Sequence, residues 1–228
     1  MAKETAIQNS EGAMGISTVL QTVYQWMFAS LLLTGMTAFY TVRHLIGYMI
    51  EHPTMFYLLA IAEVLLVVGI TVKLEKLSFA QVLFGLTVYA SLNGVVMAMV
   101  LIQYQIESIY QAFFLTSVTF LLMSFIKKDI TTWGRTLYSI LFGLVIATFA
   151  NIFFHNALIE SILNYVGVFL FMGLTAYDTQ KIKKDAKEKL PLLTEEEAQK
   201  RCCMYALDLY LDFVNLFLYI LRIFGKRR

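Results

Sequence analysis

Seven stretches of roughly 20 mostly apolar residues dominate this chain, at about 22–42, 54–73, 79–101, 108–126, 136–154, 158–178 and 204–224. Each is long enough to cross the roughly 30 Å hydrocarbon core of a bilayer as a helix rising about 1.5 Å per residue. Lipid offers the backbone no hydrogen-bond partner, so spans of this kind must be helical. Together they leave no room for a soluble domain in 228 residues. The expectation is one all-α, polytopic membrane domain over residues 1–228, embedded in a lipid bilayer.

Composition agrees. Apolar residues make up 59% and charged residues 15%, with two prolines, against about 45–50% and about 25% in soluble domains. A soluble enzyme, a disordered regulator and a secreted disulfide scaffold are excluded. A net charge of +2 is too small to argue for nucleic acid. The two cysteines, Cys202 and Cys203, are adjacent and cannot make a disulfide framework. Beside a span they could carry palmitate, although unmodified thiols are the plainer reading.

Residues Met1 to Thr18 are polar and mixed, without the basic and apolar regions of a cleavable signal. The first span is therefore expected to insert as its own anchor. Cations in short loops set orientation. With seven crossings, thirteen Lys and Arg fall on the side of the N-terminus and five on the other. That side is read as cytoplasmic. The five include Arg222, Lys226, Arg227 and Arg228, so the C-terminus is expected outside if the last segment crosses rather than re-enters.

Acids inside the spans are the informative residues. Glu63 lies in AIAEVLLVVGI, Asp178 in GLTAYDTQKIK, and Asp208 and Asp212 in ALDLYLDFVNLFLYILRIFG. An Asp near a helix centre costs roughly 2.5–3.5 kcal/mol on insertion scales, so such residues face a bundle interior or a wet cavity. On a helix, Asp212 falls about 40° from Asp208, and Asn215 about 20° to the other side. This polar stripe should point at other protein, which makes the seventh span the expected centre with six helices around it.

Three chemistries fit the stripe. The carboxyls can glue helices together by hydrogen bonds. They can form a cation path or proton switch. Two nearby carboxyls in a poorly solvated site cannot both ionise cheaply, so they share a proton, and when doubly ionised they can bind Ca²⁺. They can also activate water, as in aspartic proteases, but no second glycine-flanked Asp of the intramembrane-protease kind is present. The histidines His44, His52 and His155 sit at span ends and read as interfacial. No Lys lies in the seventh span to carry a retinal Schiff base. No glycine-rich phosphate loop appears. No cofactor and no catalytic residue is expected.

The motifs AYDTQKIK and ALDLYLDFVNLFLYILRIFG, separated by a charged segment, resemble the Bax inhibitor-1 family, as do AIAEV in the second span and KKD at Lys127–Asp129. The resemblance covers nearly the whole chain. It implies a seventh helix at the centre of three helix pairs and a pH-sensitive Ca²⁺ leak. It also implies that Asp178 and Asp212 form the paired-aspartate sensor and possible Ca²⁺ site at the cytoplasmic mouth. Glu63 matches a third acid, and Asp208 an acid that some members replace. The family's latch arginine at the end of the second helix corresponds here to Leu74, with Lys73 and Lys76 beside it. A lysine cannot reproduce a guanidinium–carboxylate fork.

The leading expectation is therefore a non-enzymatic Ca²⁺ or H⁺ leak gated by the Asp178–Asp212 pair, with Glu63, Asp208 and Asn215 along the path. The alternative is an interaction protein that regulates a membrane protease or a stress partner through segment 179–203. An intramembrane hydrolase stands third. Compact loops without organelle signals suit a bacterial inner membrane.

Overall fold

A computed structural model describes residues 15–126 and 129–228, and among them the chain is all α-helix joined by short turns, with no strand beyond one isolated bridge. The helices are α1 (Ile16–His44), α2 (Ile46–Glu51), α3 (Pro53–Lys73), α4 (Phe79–Leu101), α5 (Ile106–Ser124), α6 (Gly134–Phe154), α7 (Ala157–Glu188) and α8 (Glu195–Phe224). Lys3, Lys127 and Lys128, which enter the charge count and the KKD match, lie outside the described residues.

Local signals set the helix ends. Pro53 opens α3 at a position where its missing N–H costs nothing. Ser78 and Gln81 form a reciprocal capping box at the start of α4. His155 ends α6 in the left-handed region at φ 49°, and its N–H donates to the Asn151 carbonyl at 2.8 Å. The Asn156 carboxamide oxygen then accepts from the N–H groups of Leu158 and Ile159, opening α7.

Among the described residues, six helices are long and apolar enough to cross a membrane: Ile16–His44, Pro53–Lys76, Phe79–Leu101, Ile106–Ser124, Thr131–Phe154 and Ala157–Leu192. The seventh expected stretch falls within α8, which is not among them and which carries Asp208, Asp212, Asn215 and Arg222. Several hydroxyl residues inside the spans satisfy themselves: Ser30, Thr37, Thr87, Thr116 and Thr148 each donate to the carbonyl four residues back, which removes the penalty of a bare hydroxyl in lipid.

Segment 179–203, expected as a charged loop, is mostly helix. It continues α7 to Glu188, makes one 3₁₀ turn at Leu190–Leu192, and begins α8 at Glu195. Its Lys, Glu, Ala and Gln are good helix formers. Lys189 pairs with Asp185 at 2.8 Å, and Thr194 with Glu197 makes a capping box at the start of α8.

The chain forms two compact units, and both α7 and α8 run through each. One comprises residues up to Gln103 with Lys183–Tyr210. Here α1 packs tightly on α4: the Thr34 hydroxyl reaches the Ala90 carbonyl at 3.0 Å, and a Cβ on Gly94 would lie 2.5 Å from the Thr34 carbonyl oxygen. The other comprises Tyr104–Ile182 with Leu211–Arg228. There Phe113 and Phe120 of α5 meet Phe213 of α8 edge-on at 5.5 Å, and Gly167 of α7 makes room for the Tyr219 ring. The C-terminal tail is tied to the start of α5. Gln105 N–H donates to the Lys226 carbonyl at 2.9 Å, and Lys226 N–H donates to the Ser108 hydroxyl at 3.0 Å. Helix α8 is buried on almost every face, with Leu207, Leu209, Tyr210, Leu216 and Leu221 all shielded.

Candidate carboxylate site and a buried polar relay

Two contacts fix the antiparallel register of α7 against α8. The Tyr205 hydroxyl donates to Asp185 Oδ2 at 2.7 Å. The Phe171 ring stacks on Tyr219 with centroids 5.8 Å apart. From the first contact to the second, α7 steps back fourteen residues and α8 steps forward fourteen. Asp178 and Asp212 occupy the midpoint, seven residues from each contact on both helices. Seven residues are about two helical turns, so both acids share the depth and the face set by those contacts. Both are buried, at 3% and 4% exposure. Lys181, one turn along α7, holds its ammonium 3.8 Å from Asp178 Oδ1.

The sequence stripe divides. Asp212 is buried, but Asp208 and Asn215 are only half-buried. Asn215 spends its amide on the Leu211 carbonyl at 2.8 Å. It also lines an open groove against α6, rather than being enclosed by protein as the stripe predicts.

Glu63 is buried in the other unit. It lies beside a relay that the sequence did not reveal. Its neighbour is Asn93, and its Oε1 makes no hydrogen bond among the described residues. The Tyr210 hydroxyl donates to Asn93 Oδ1 at 3.0 Å and lies 2.7 Å from the Thr34 hydroxyl. Thr34 Oγ1 also lies 3.0 Å from the Ala90 carbonyl. Three helices, α4, α8 and α1, are thus joined by side chains that are each buried. Asn93 and Tyr210 carry no motif. A polar residue among small ones in SLNGVV was the available signal, because closely packed helices need small residues around the polar bridge.

Asp185, within the charged segment 179–203, is 5% exposed and holds both Tyr205 and Lys189. Leu74, at the latch position, is buried in the 3₁₀ turn Leu74–Lys76. The cation at that corner comes from α8 instead. Arg201 pairs with Glu75, and Lys200 donates to the Leu77 carbonyl at 3.2 Å. Cys202 and Cys203 are fully buried, and burial pushes their thiols up to about 11 and about 12, so neither is exposed for acylation.

Among the described residues, no three His, Cys, Asp or Glu converge as a metal cluster. Ca²⁺ normally takes six to eight oxygens, more than two carboxylates supply.

Comparison with known proteins decides the lineage. Residues 16–228 match the family described as inhibitor of apoptosis-promoting Bax1. The chain belongs to the Bax inhibitor-1 family. This Bax inhibitor-1 protein is 34% identical to the inner membrane protein YbhL of Escherichia coli K12, over 94% of each chain. It is also 34% identical to an uncharacterized protein of Deinococcus radiodurans, over 93% of this chain and 92% of that one. A third relative, the uncharacterized protein RP147 of Rickettsia prowazekii, is 34% identical over 98% and 96%. It is an integral membrane protein, as its six apolar helices require.

Proposed function

We propose that this Bax inhibitor-1 protein is a passive Ca²⁺ leak in a bacterial inner membrane, gated by one proton shared between Asp178 and Asp212. The observation that carries the reading is the register of α7 on α8, which puts two buried acids at one depth. Two such carboxyls cannot both be charged cheaply, so in the closed state the pair holds one proton in a carboxyl–carboxylate hydrogen bond. That bond ties α7 to α8 and closes the mouth. Losing the proton leaves two like charges that repel, and the same charges attract a divalent cation.

A leak needs the seventh helix to cross. Support comes from its length. The stretch 204–224 within α8 rises about 31 Å as a helix, enough for a bilayer core. With the cation count, a crossing α8 favours an N-terminus in the cytoplasm and a C-terminus outside.

The test is Ca²⁺ flux into proteoliposomes of the purified protein from pH 6 to 8. Wild type should leak more as pH rises. Asp178→Asn and Asp212→Asn should each remove most of that dependence, and the double variant should lose little more. Wild-type pH profiles in both single variants, or no flux without a partner protein, would overturn the reading.

A further inference from the structure

The groove beside Asn215 has a composition that the leak does not use. It lies within one unit, between α6 and α8, has a volume of about 220 Å³ and is open to the surface. Val145, Phe149 and Ile152 of α6 form one wall and are all exposed, and Leu218 of α8 contributes to the other. Of the three neutral polar side chains in the walls, two spend a donor on their own helix. Thr148 donates to the Leu144 carbonyl at 2.8 Å, and Asn215 donates to the Leu211 carbonyl at 2.8 Å. The third, Tyr219, presents an aromatic ring. The groove is therefore mostly apolar.

Its one charge is Arg222, in the last turn of α8. Among the described residues this guanidinium makes no ion pair; its recorded neighbour is the Tyr219 ring, 5.5 Å away. Lys226, Arg227 and Arg228 follow within six residues and are exposed. From Asn215 to Arg222, and from Val145 to Ile152, the walls rise about 10 Å. Half of a bilayer core is about 15 Å. With α8 crossing as in the proposed function, on which this inference rests, the groove runs along most of one leaflet, mostly apolar inside and cationic at the headgroup end.

We propose that this groove is a binding site for an anionic phospholipid, with an acyl chain between α6 and α8 and the phosphate on Arg222. Charge selects the lipid. One cation near an anionic headgroup is worth a factor of roughly five in affinity, and an uncharged apolar groove would take any chain equally. A lipid seated here packs against the outer half of α8 without touching Asp178 or Asp212.

Native mass spectrometry of the full-length protein in detergent tests this with phosphatidylglycerol and phosphatidylcholine offered together. Wild type should retain one phosphatidylglycerol about fivefold over phosphatidylcholine. Arg222→Gln should erase the preference, and Arg43→Gln, on α1 in the other unit, should keep it. In the unaltered protein, phosphatidylglycerol with a photoreactive acyl chain should crosslink within residues 142–155 and 211–224. Equal retention of both lipids by wild type would overturn the proposal. So would a preference unchanged in Arg222→Gln, crosslinks only elsewhere, or equal competition by inorganic phosphate.

Discussion

Removing the hydroxyl of Tyr210 isolates the relay without disturbing packing. Phe keeps the ring that meets Tyr89 edge-on at 5.8 Å. What is lost is a hydroxyl with two partners, Thr34 Oγ1 at 2.7 Å and Asn93 Oδ1 at 3.0 Å. Interhelical hydrogen bonds in membranes average about 0.6 kcal/mol and reach about 1.7. Two of them put the expected cost of Tyr210→Phe at about 1–3 kcal/mol. The two partners should not share it equally. Thr34 has one hydroxyl proton and two other acceptors, the carbonyls of Ser30 and Ala90 at 2.9 and 3.0 Å. Asn93 Oδ1 loses a donor in a buried place, which is the costlier outcome. A double-mutant cycle of Tyr210→Phe with Asn93→Ala should therefore show a larger coupling than one with Thr34→Val. The assay is equilibrium unfolding in mixed micelles, read as a free-energy difference for each variant. Additivity in both cycles, or the reverse order of couplings, would refute the relay as drawn.

Gly94→Ala adds a Cβ 1.8 Å from Thr37 Oγ1 and 2.5 Å from the Thr34 carbonyl oxygen. Since a backbone atom cannot rotate away, overpacking should outweigh the helix-propensity gain of about 1 kcal/mol and cost roughly 1–2 kcal/mol net in the same assay. Gly143→Ala, with nothing within 4 Å, is the neutral or stabilising control. At the start of α8, the Thr194 N–H and hydroxyl both donate to Glu197 and hold its carboxyl below its ordinary 4.5. Because the folded value is the lower one, the cap is fully present above pH 4.5 and is lost as pH falls through that lowered value. Amide-exchange protection in the first turn of α8 should decline on acidification below pH 4.5, and less so in Glu197→Gln; equal declines would refute the cap.

Hydrophobic runs are a one-dimensional signal, and six of the seven expected stretches are helices long and apolar enough to cross; four agree within about five residues, whereas α1 begins six residues earlier and α7 runs ten residues further than expected. Ser78, Pro53, Asn156 and Thr194 place helix ends by chemistry confined to one turn, so those ends are also a property of the local sequence. Segment 179–203 escaped that logic because charge density says solvated, not unstructured. Its Lys and Glu form helix whether or not lipid surrounds them. Glu63, Asp178, Asp208 and Asp212 were visible as acids in apolar surroundings, since any such residue must find a special environment. Which acids share that environment was not visible. Only the packing of α7 on α8 decides that Asp178 and Asp212 stand at one depth, and that Asp185 is buried against Tyr205 instead of lying in water. The same holds for Asn93, Tyr210 and Thr34. A lone amide or hydroxyl in a span carries no mark of its partner, because the bond joins residues up to 176 positions apart and exists only once three helices have met.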